Sequence, residues 1–256
     1  MDNKPLFISI AVLVIFVFEG LFPHYQGRTA RLKHAFPHVL TAIINGLLTR
    51  FVLSGVTIMM IALAEDHSLG LLRSASRTAI VRLILVFVLF DVWLYFWHMA
   101  NHRIGFLWRF HRAHHADIAM DTTTALRFHP GELILSTFFR LPVVILLGMS
   151  FAQLVLFETL LNLSTLFHHS NLAVPEKWDR SLRTIIVTPN MHRVHHSVDY
   201  SEMNSNFTSL LSIWDRICRT YRTHQDTSTI TIGLSTFREI RYQRLYGFLI
   251  TPFQKS

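Results

Sequence analysis

The sequence predicts an all-α integral membrane protein: about four membrane-embedded helical elements, one of them a helical hairpin, with a histidine-rich cap on their cytoplasmic side. Three observations lead there. Of the 256 residues, 51% are hydrophobic and the mean hydropathy is +0.35, whereas soluble domains hold an apolar share of about 45–50% even with glycine counted. The apolar residues fall in runs long enough to cross a bilayer, which takes about 17–25 residues. The 16 histidines concentrate at the end of one such run and in the polar segments that follow.

Taken in chain order, Leu6 to Phe22 is a first span. Phe22-Pro23-His24 follows it with no small-residue cleavage pattern, so it reads as a retained anchor and not a removed signal peptide. Pro37 to Ala64 holds a second span, broken only by Asn45, Gly46, Thr49, Arg50 and Ser54. Arg50 within it needs a partner or a snorkelling route to the surface. Thr78 to Trp97 is a third, running directly into His98. Asp91, Tyr95, His98 and His102 follow steps of four, three and four, so they share one helical face. An acid inside a membrane helix is costly and usually functional, which assigns Asp91 or Tyr95 to orienting a metal-bound imidazole.

Leu133 to Leu163 poses a problem of length. As one straight helix of about thirty residues it would rise roughly 45 Å, against a hydrocarbon core of about 30 Å. It would also separate two histidine elements that one site must bring together. The stretch is therefore expected to turn back near Gly148-Met149-Ser150 as a hairpin, returning Ser170 to the side of Ala113. Counting spans puts Arg28, Arg31 and Lys33 on the histidine side, which the positive-inside rule makes cytoplasmic, although Arg73 and Arg77 lie across the membrane. Further on, Thr188 caps a helix that begins with Pro189 and carries the second histidine element. Thr229 to Ile232 reads as a short β-like run, and Phe237 to Phe253 as a basic amphipathic tail suited to the bilayer surface. The chain thus divides into residues 1–77 (anchor helices), 78–222 (the histidine-bearing region) and 223–256 (the tail).

The chemistry lies in two pentads, His111-Arg112-Ala113-His114-His115 and His192-Arg193-Val194-His195-His196, which differ only in the middle residue, and in His98 and His102 upstream. On a helix, positions i, i+3 and i+4 share a face, so each pentad turns several imidazoles the same way. These eight histidines exceed the three or four ligands that satisfy one zinc, so the spacing suggests more than one metal ion. A hydrolase would need a His-Glu-x-x-His helix, which is absent. A b-type haem needs single axial histidines and not triplets, and a transporter places its ligands near the bilayer midplane on broken helices. A fixed cluster at the membrane surface fits dioxygen chemistry on a lipid better. Cys218 is the single cysteine, which excludes an intramolecular disulfide and a thiolate site. The net charge of +8 flanks apolar runs and histidines with no reader motif, which favours lipid headgroups and argues against nucleic acid.

The chain resembles the fatty acid hydroxylase/sterol desaturase superfamily of integral-membrane, histidine-box di-iron oxygenases, in its bacterial branch. The resemblance rests on Asp91 to His102, Leu107 to Arg112, Met120 to Glu132, Phe167 to Asn171, Val187 to Ser197, Trp214-Asp215-Arg216 and Ile232-Gly233-Leu234, and covers essentially the whole chain. It implies an oxidoreductase that hydroxylates or desaturates a lipid C–H bond, with two iron ions, dioxygen as co-substrate and electrons from a separate redox protein, at a bacterial inner membrane. It implies His98, His102, His111, His114, His115, His192, His195 and His196 as ligands, completed by His129 of the His-Pro-x-Glu segment and by His169, with His168 as a neighbour. Asn190 and Asp199 are expected to support the ligands. Arg112 and Arg193 are expected to anchor to headgroups or carboxylates. His24, His34, His38, His67 and His224 are expected to be ordinary interfacial or surface residues. The substrate, and the choice between hydroxylation and desaturation, stay open. The alternative is a non-redox metal-binding membrane protein.

Overall fold

The computed structural model describes residues 4–73 and 78–255, so Arg77 lies outside the described residues. Among those described, the chain is helical, with β pairing limited to isolated bridges. Four elements are long and apolar enough to cross a membrane: Lys4–Leu21, Arg31–Asp66, Ala79–Arg103 and Pro130–Leu147. Their outward residues, such as Leu13, Phe51 and Phe138, are exposed, as lipid-facing positions are when no bilayer covers them. The chain is an all-α integral membrane protein.

The first span is α1 (Lys4–Leu21). The second runs through α2 (Arg31–Leu48), a π turn at Thr49–Leu53 and α3 (Ser54–Asp66) without interruption. The carbonyl of Thr49, displaced by the π turn, accepts from Ser54 Oγ at 2.6 Å. These 36 residues rise about 54 Å, more than one crossing needs; the element begins six residues before Pro37, and its first turns pack on Asp117, Asp121 and Thr123 through His34 and His38. Arg50 is exposed and pairs with no acid among the described residues. The third span, α4 (Ala79–Arg103), ends at Ile104, whose extended backbone lets α5 (Gly105–His115) fold back beside it.

The hairpin forms where its length requires. α6 (Pro130–Leu147) ends at Gly148, which sits in the left-handed region at φ 71°. Ser150 then caps α7 (Phe151–His169) in a reciprocal capping box with Gln153. Glycine is needed on both sides of this turn. A Cβ on Gly70 would lie 2.2 Å from the Cα of Gly148, and the loop is tied there by Leu71 N to Leu146 O at 2.8 Å. Val86 and Phe90 of α4, Val144 and Leu147 of α6 and Leu154 and Phe157 of α7 fill the core between these helices. The turn carries His169 back to His114.

The cap comprises α8 (Glu176–Leu182), α9 (Pro189–His195), the short helices α10 (Tyr200–Met203) and α11 (Ile213–Ile217), and α12 (Leu245–Ile250). Glu19, fully buried at the end of α1, ties the cap to the spans by accepting from Thr122 N at 3.0 Å, Asn171 N at 2.8 Å and Arg31 Nη2 at 2.9 Å. Thr188 caps α9 through Met191 N, with Pro189 at its first position as expected. The β-like run forms no strand. Ile232 makes one bridge to Ser197, and Ile230 and Ile232 pack beneath Val194. The tail is made of short helical turns. It straps across the cap with Phe237, Tyr242 and Phe248 buried, and leaves Ile240, Tyr246 and Phe253 outside.

Candidate metal centre

Nine histidines form two groups, in each of which one nitrogen per ring lies within 4.8 Å of the others. The first holds His98, His102, His111, His115 and His195, the second His114, His169, His192 and His196. The pentads therefore do not make one group each. At about 100° per residue, positions i and i+4 are about 40° apart on the helix, while i+3 points about 60° to the other side. His111 and His115 of the first pentad thus meet His195 of the second, and His192 and His196 meet His114 in return. The two groups adjoin where the His115 and His196 rings stack at 4.3 Å between centroids.

Four of the nine rings are aimed from behind. His98 Nδ1 donates to Phe207 O at 2.6 Å, His195 Nδ1 to Ser205 O at 2.7 Å, and His169 Nδ1 to Thr165 O at 2.8 Å. His111 Nδ1 donates to Glu132 Oε1 at 2.8 Å. These bonds use the ring proton on the outer nitrogen, so the lone pair of the other nitrogen points inward. The inward nitrogens crowd together: His98 and His111 Nε2 are 3.1 Å apart, and His169 Nε2 is 3.1 Å from His114 Nε2 and 3.0 Å from that of His192. Both ring nitrogens of His102, His115 and His196, and Nε2 of His195, are buried with no hydrogen-bond partner. Buried polar atoms normally find partners, and converging lone pairs repel, so this donor set fits cations at the two centres. Burial first, then the neighbouring imidazoles, hold His114, His115, His192, His195 and His196 well below the usual histidine range. They are neutral, the form that binds metal. Nitrogen donors without thiolate suit iron, copper, zinc or nickel.

Several expected residues lie elsewhere. The structure does not bring His129 to either group. Its Nδ1 accepts from Gly131 N at 3.0 Å, capping α6, and its Nε2 donates to Leu249 O at 3.1 Å. Asp91 orients no imidazole; its Oδ2 accepts from Trp214 Nε1 at 2.7 Å and Leu211 N at 3.2 Å, bolting α4 to the cap. Tyr95 bonds Thr220 Oγ1 at 2.8 Å, and Asn190 accepts from Arg193 Nη1. Asp199 caps α10 at the surface. His168 lies outside the two groups, its ring 4.1 Å from that of His192, with Nδ1 unpaired. Arg112 and Arg193 are buried and bond backbone carbonyls. Arg112 donates to Thr251 O and Gln254 O, holding the tail strap, and Arg193 donates to Ser170 O and Leu172 O.

Other residues carry more than the spacing suggested. Glu132 backs His111, and the cost of an acid in an apolar helix, the argument applied to Asp91, would have flagged it. His34 and His38, one helical turn apart, are not surface residues. His34 lies between Asp117 Oδ1 at 2.8 Å and Asp121 Oδ2 at 2.9 Å, and His38 bonds Thr123 Oγ1 at 3.0 Å and receives Arg127 Nη1 at 3.2 Å. Although their atoms approach as metal ligands do, they satisfy one another and form an ionic lock between α2 and the segment after α5.

A cavity of about 210 Å³ opens over the histidines between α4, α6 and α7. His98, His111, His114 and His169 line its floor, and Leu94, Trp97, Leu133 and Leu161 line its walls.

The Fatty acid hydroxylase family model matches residues 83–220, which takes in α5, α7, α9 and most of α4. An alkylglycerol monooxygenase from Danio rerio is 31% identical over 165 residues, 63% of this chain and 36% of the relative. An ornithine lipid hydroxylase, OlsE, from Rhizobium tropici is 25% identical over 236 residues, 88% of this chain and 68% of the relative. The human cholesterol 25-hydroxylase is 28% identical over 137 residues, 53% of this chain and 49% of the relative. The chain spans about a third of the length of the alkylglycerol monooxygenases it matches. No solved structure matches it. With all of the nine clustered histidines inside the matched residues, the chain belongs to the fatty acid hydroxylase family.

Proposed function

We propose that this chain is a membrane-bound di-iron oxidoreductase that oxidises a lipid C–H bond with dioxygen, taking electrons from a separate redox protein. The observation that carries the reading is the pair of interleaved, largely buried histidine groups beneath a cavity walled by apolar helices. Bound iron supplies the redox chemistry that turns dioxygen on an unactivated C–H bond. The chain supplies the rest. Four outer hydrogen bonds fix the His98, His111, His169 and His195 rings, α6 and α7 of the hairpin wall the cavity over them, and the tail is held to α5 through Arg112. The apolar walls receive the lipid chain and keep bulk water from the floor. Hydroxylation is favoured over desaturation because the relatives are named hydroxylases and monooxygenases. His98, His102, His111, His114, His115, His169, His192, His195 and His196 are proposed as the ligands, and His129 is not. The histidine side is proposed to face the cytoplasm of a bacterial inner membrane, where reduced donors are found.

The test is turnover. Purified protein supplied with a chemical or protein reductant should consume dioxygen in proportion to a hydroxylated lipid product, and removal of iron by a chelator should abolish both. Stoichiometric zinc, with no dioxygen consumed under any reductant, would instead support a non-redox metal-binding protein.

A further inference from the structure

We propose that the cavity over the histidines holds the polar, hydrogen-bond-donating end of its lipid, so that oxidation falls beside that group and not far along a bare chain. The proposal rests on the oxygenase reading above and adds what the site selects. At about 210 Å³ the cavity is smaller than the roughly 300–1,000 Å³ that encloses a drug-sized ligand. It therefore takes one end of a lipid, the remainder running out past Leu94, Leu133 and Leu161.

The polar lining defines which end. Glu132 is 5% exposed, and while its Oε1 is engaged by His111, its Oε2 has no partner. A buried carboxylate oxygen left without a partner in the lining of a cavity calls for a donor from the ligand. Ser136 follows Glu132 by four residues, on the same face of α6 and about 6 Å further along the axis. Asn162 precedes His169 by seven residues, on the same face of α7 and about 10 Å from it along the axis. Neither the Ser136 nor the Asn162 side chain is hydrogen-bonded within the described residues. Ser136 is half-buried and Asn162 is exposed, so both are open to a ligand entering the cavity. A hydrocarbon chain alone would leave all three residues unsatisfied. A glycerol hydroxyl, or the amide or ammonium of an amino-acid-bearing lipid, would satisfy them and leave its chain among the leucines.

The experiment uses full-length, iron-loaded protein in nanodiscs, kept anaerobic so that binding is read without turnover. Two lipid pairs are compared: 1-O-hexadecylglycerol against its 2,3-di-O-methyl ether, and an ornithine lipid against its N-permethylated form. In at least one pair the donor-bearing lipid should bind about tenfold or more tightly than its capped partner. Asn162→Leu combined with Ser136→Ala should narrow that ratio to about twofold or less with iron content unchanged; if the double variant loses iron, Asn162→Ser repeats the comparison. Equal binding within both pairs, no binding of any of the four, or an undiminished ratio in the variants overturns the proposal. The oxygenase reading fails separately: absence of iron and of dioxygen-dependent product would remove it, whereas oxidation of capped and uncapped lipids at equal rates would keep it and overturn the preference.

Discussion

Glu132 and Asp91 are both buried acids in apolar helices, and they do different things. Glu132 touches a clustered imidazole; Asp91 touches Trp214 and Leu211. Partners behind a metal-bound histidine are typically worth about 10–100-fold in metal affinity, so Glu132→Gln should weaken metal binding by about that factor in a competitive chelator titration. Asp91→Asn should leave metal affinity unchanged and lower stability by about 1–3 kcal/mol, the cost of imperfectly paired buried groups, read as an earlier melt in detergent. His129→Ala sharpens the same distinction. As a helix cap it should cost about 1 kcal/mol of stability and leave the metal stoichiometry at its wild-type value, whereas a ligand would lose metal. The family resemblance brought His129 forward as a ligand because it sits in the His-Pro-x-Glu segment. It could not show that both ring nitrogens were already engaged by Gly131 and Leu249.

The elements were legible where length or periodicity constrained them. The apolar stretch from Leu133 to Leu163 was too long for one crossing and had to reverse, and Gly148 and Ser150 supply the left-handed turn and the cap that let it do so. Gly148→Ala should therefore cost about 1–2 kcal/mol from the left-handed backbone alone, aggravated by a Cβ placed 2.8 Å from Arg73 Cγ. The loss should appear in thermal melts while metal content holds, since the turn lies at the far end of the helices from the histidines. Helical periodicity placed each pentad on one helix, and the same 100° step explains why the pentads exchange members. That exchange was not legible, because it depends on how α5 and α9 face each other. Nor were the backbone carbonyls of Thr165, Ser205 and Phe207, which carry no side-chain signature. The packing of the tail was not legible, because its alternation of basic and aromatic residues fits a bilayer surface as well as a strap. The deciding contacts, from Arg112 and from Arg127 to Tyr242 O at 2.8 Å, come from residues over a hundred positions away.

At the scale of the whole molecule, the clustered imidazoles are largely buried between the hairpin helices and the cap, and burial holds several of them well below the usual histidine range. This makes the molecule's stability depend on acid. His114, His115, His192, His195 and His196 stay neutral in the folded chain below the pH at which they gain protons when unfolded. The unfolded state thus binds more protons below about pH 6.5, and stability is lost as pH falls from there, by up to about 1.4 kcal/mol per pH unit for each histidine. Melts of metal-free protein at pH 7.5 and pH 5.5 should show a large drop, and added iron should raise both curves. A flat response would mean that these rings are not held neutral by burial. The most direct measurement is the iron count. Wild-type protein loaded anaerobically should carry about two irons per chain by elemental analysis. His111→Ala combined with His195→Ala, drawn from different pentads but one group, should retain about one, as should His114→Ala combined with His192→Ala. Loss of both irons from one pair and neither from the other, or a wild-type chain that binds a single ion, would contradict two interleaved centres.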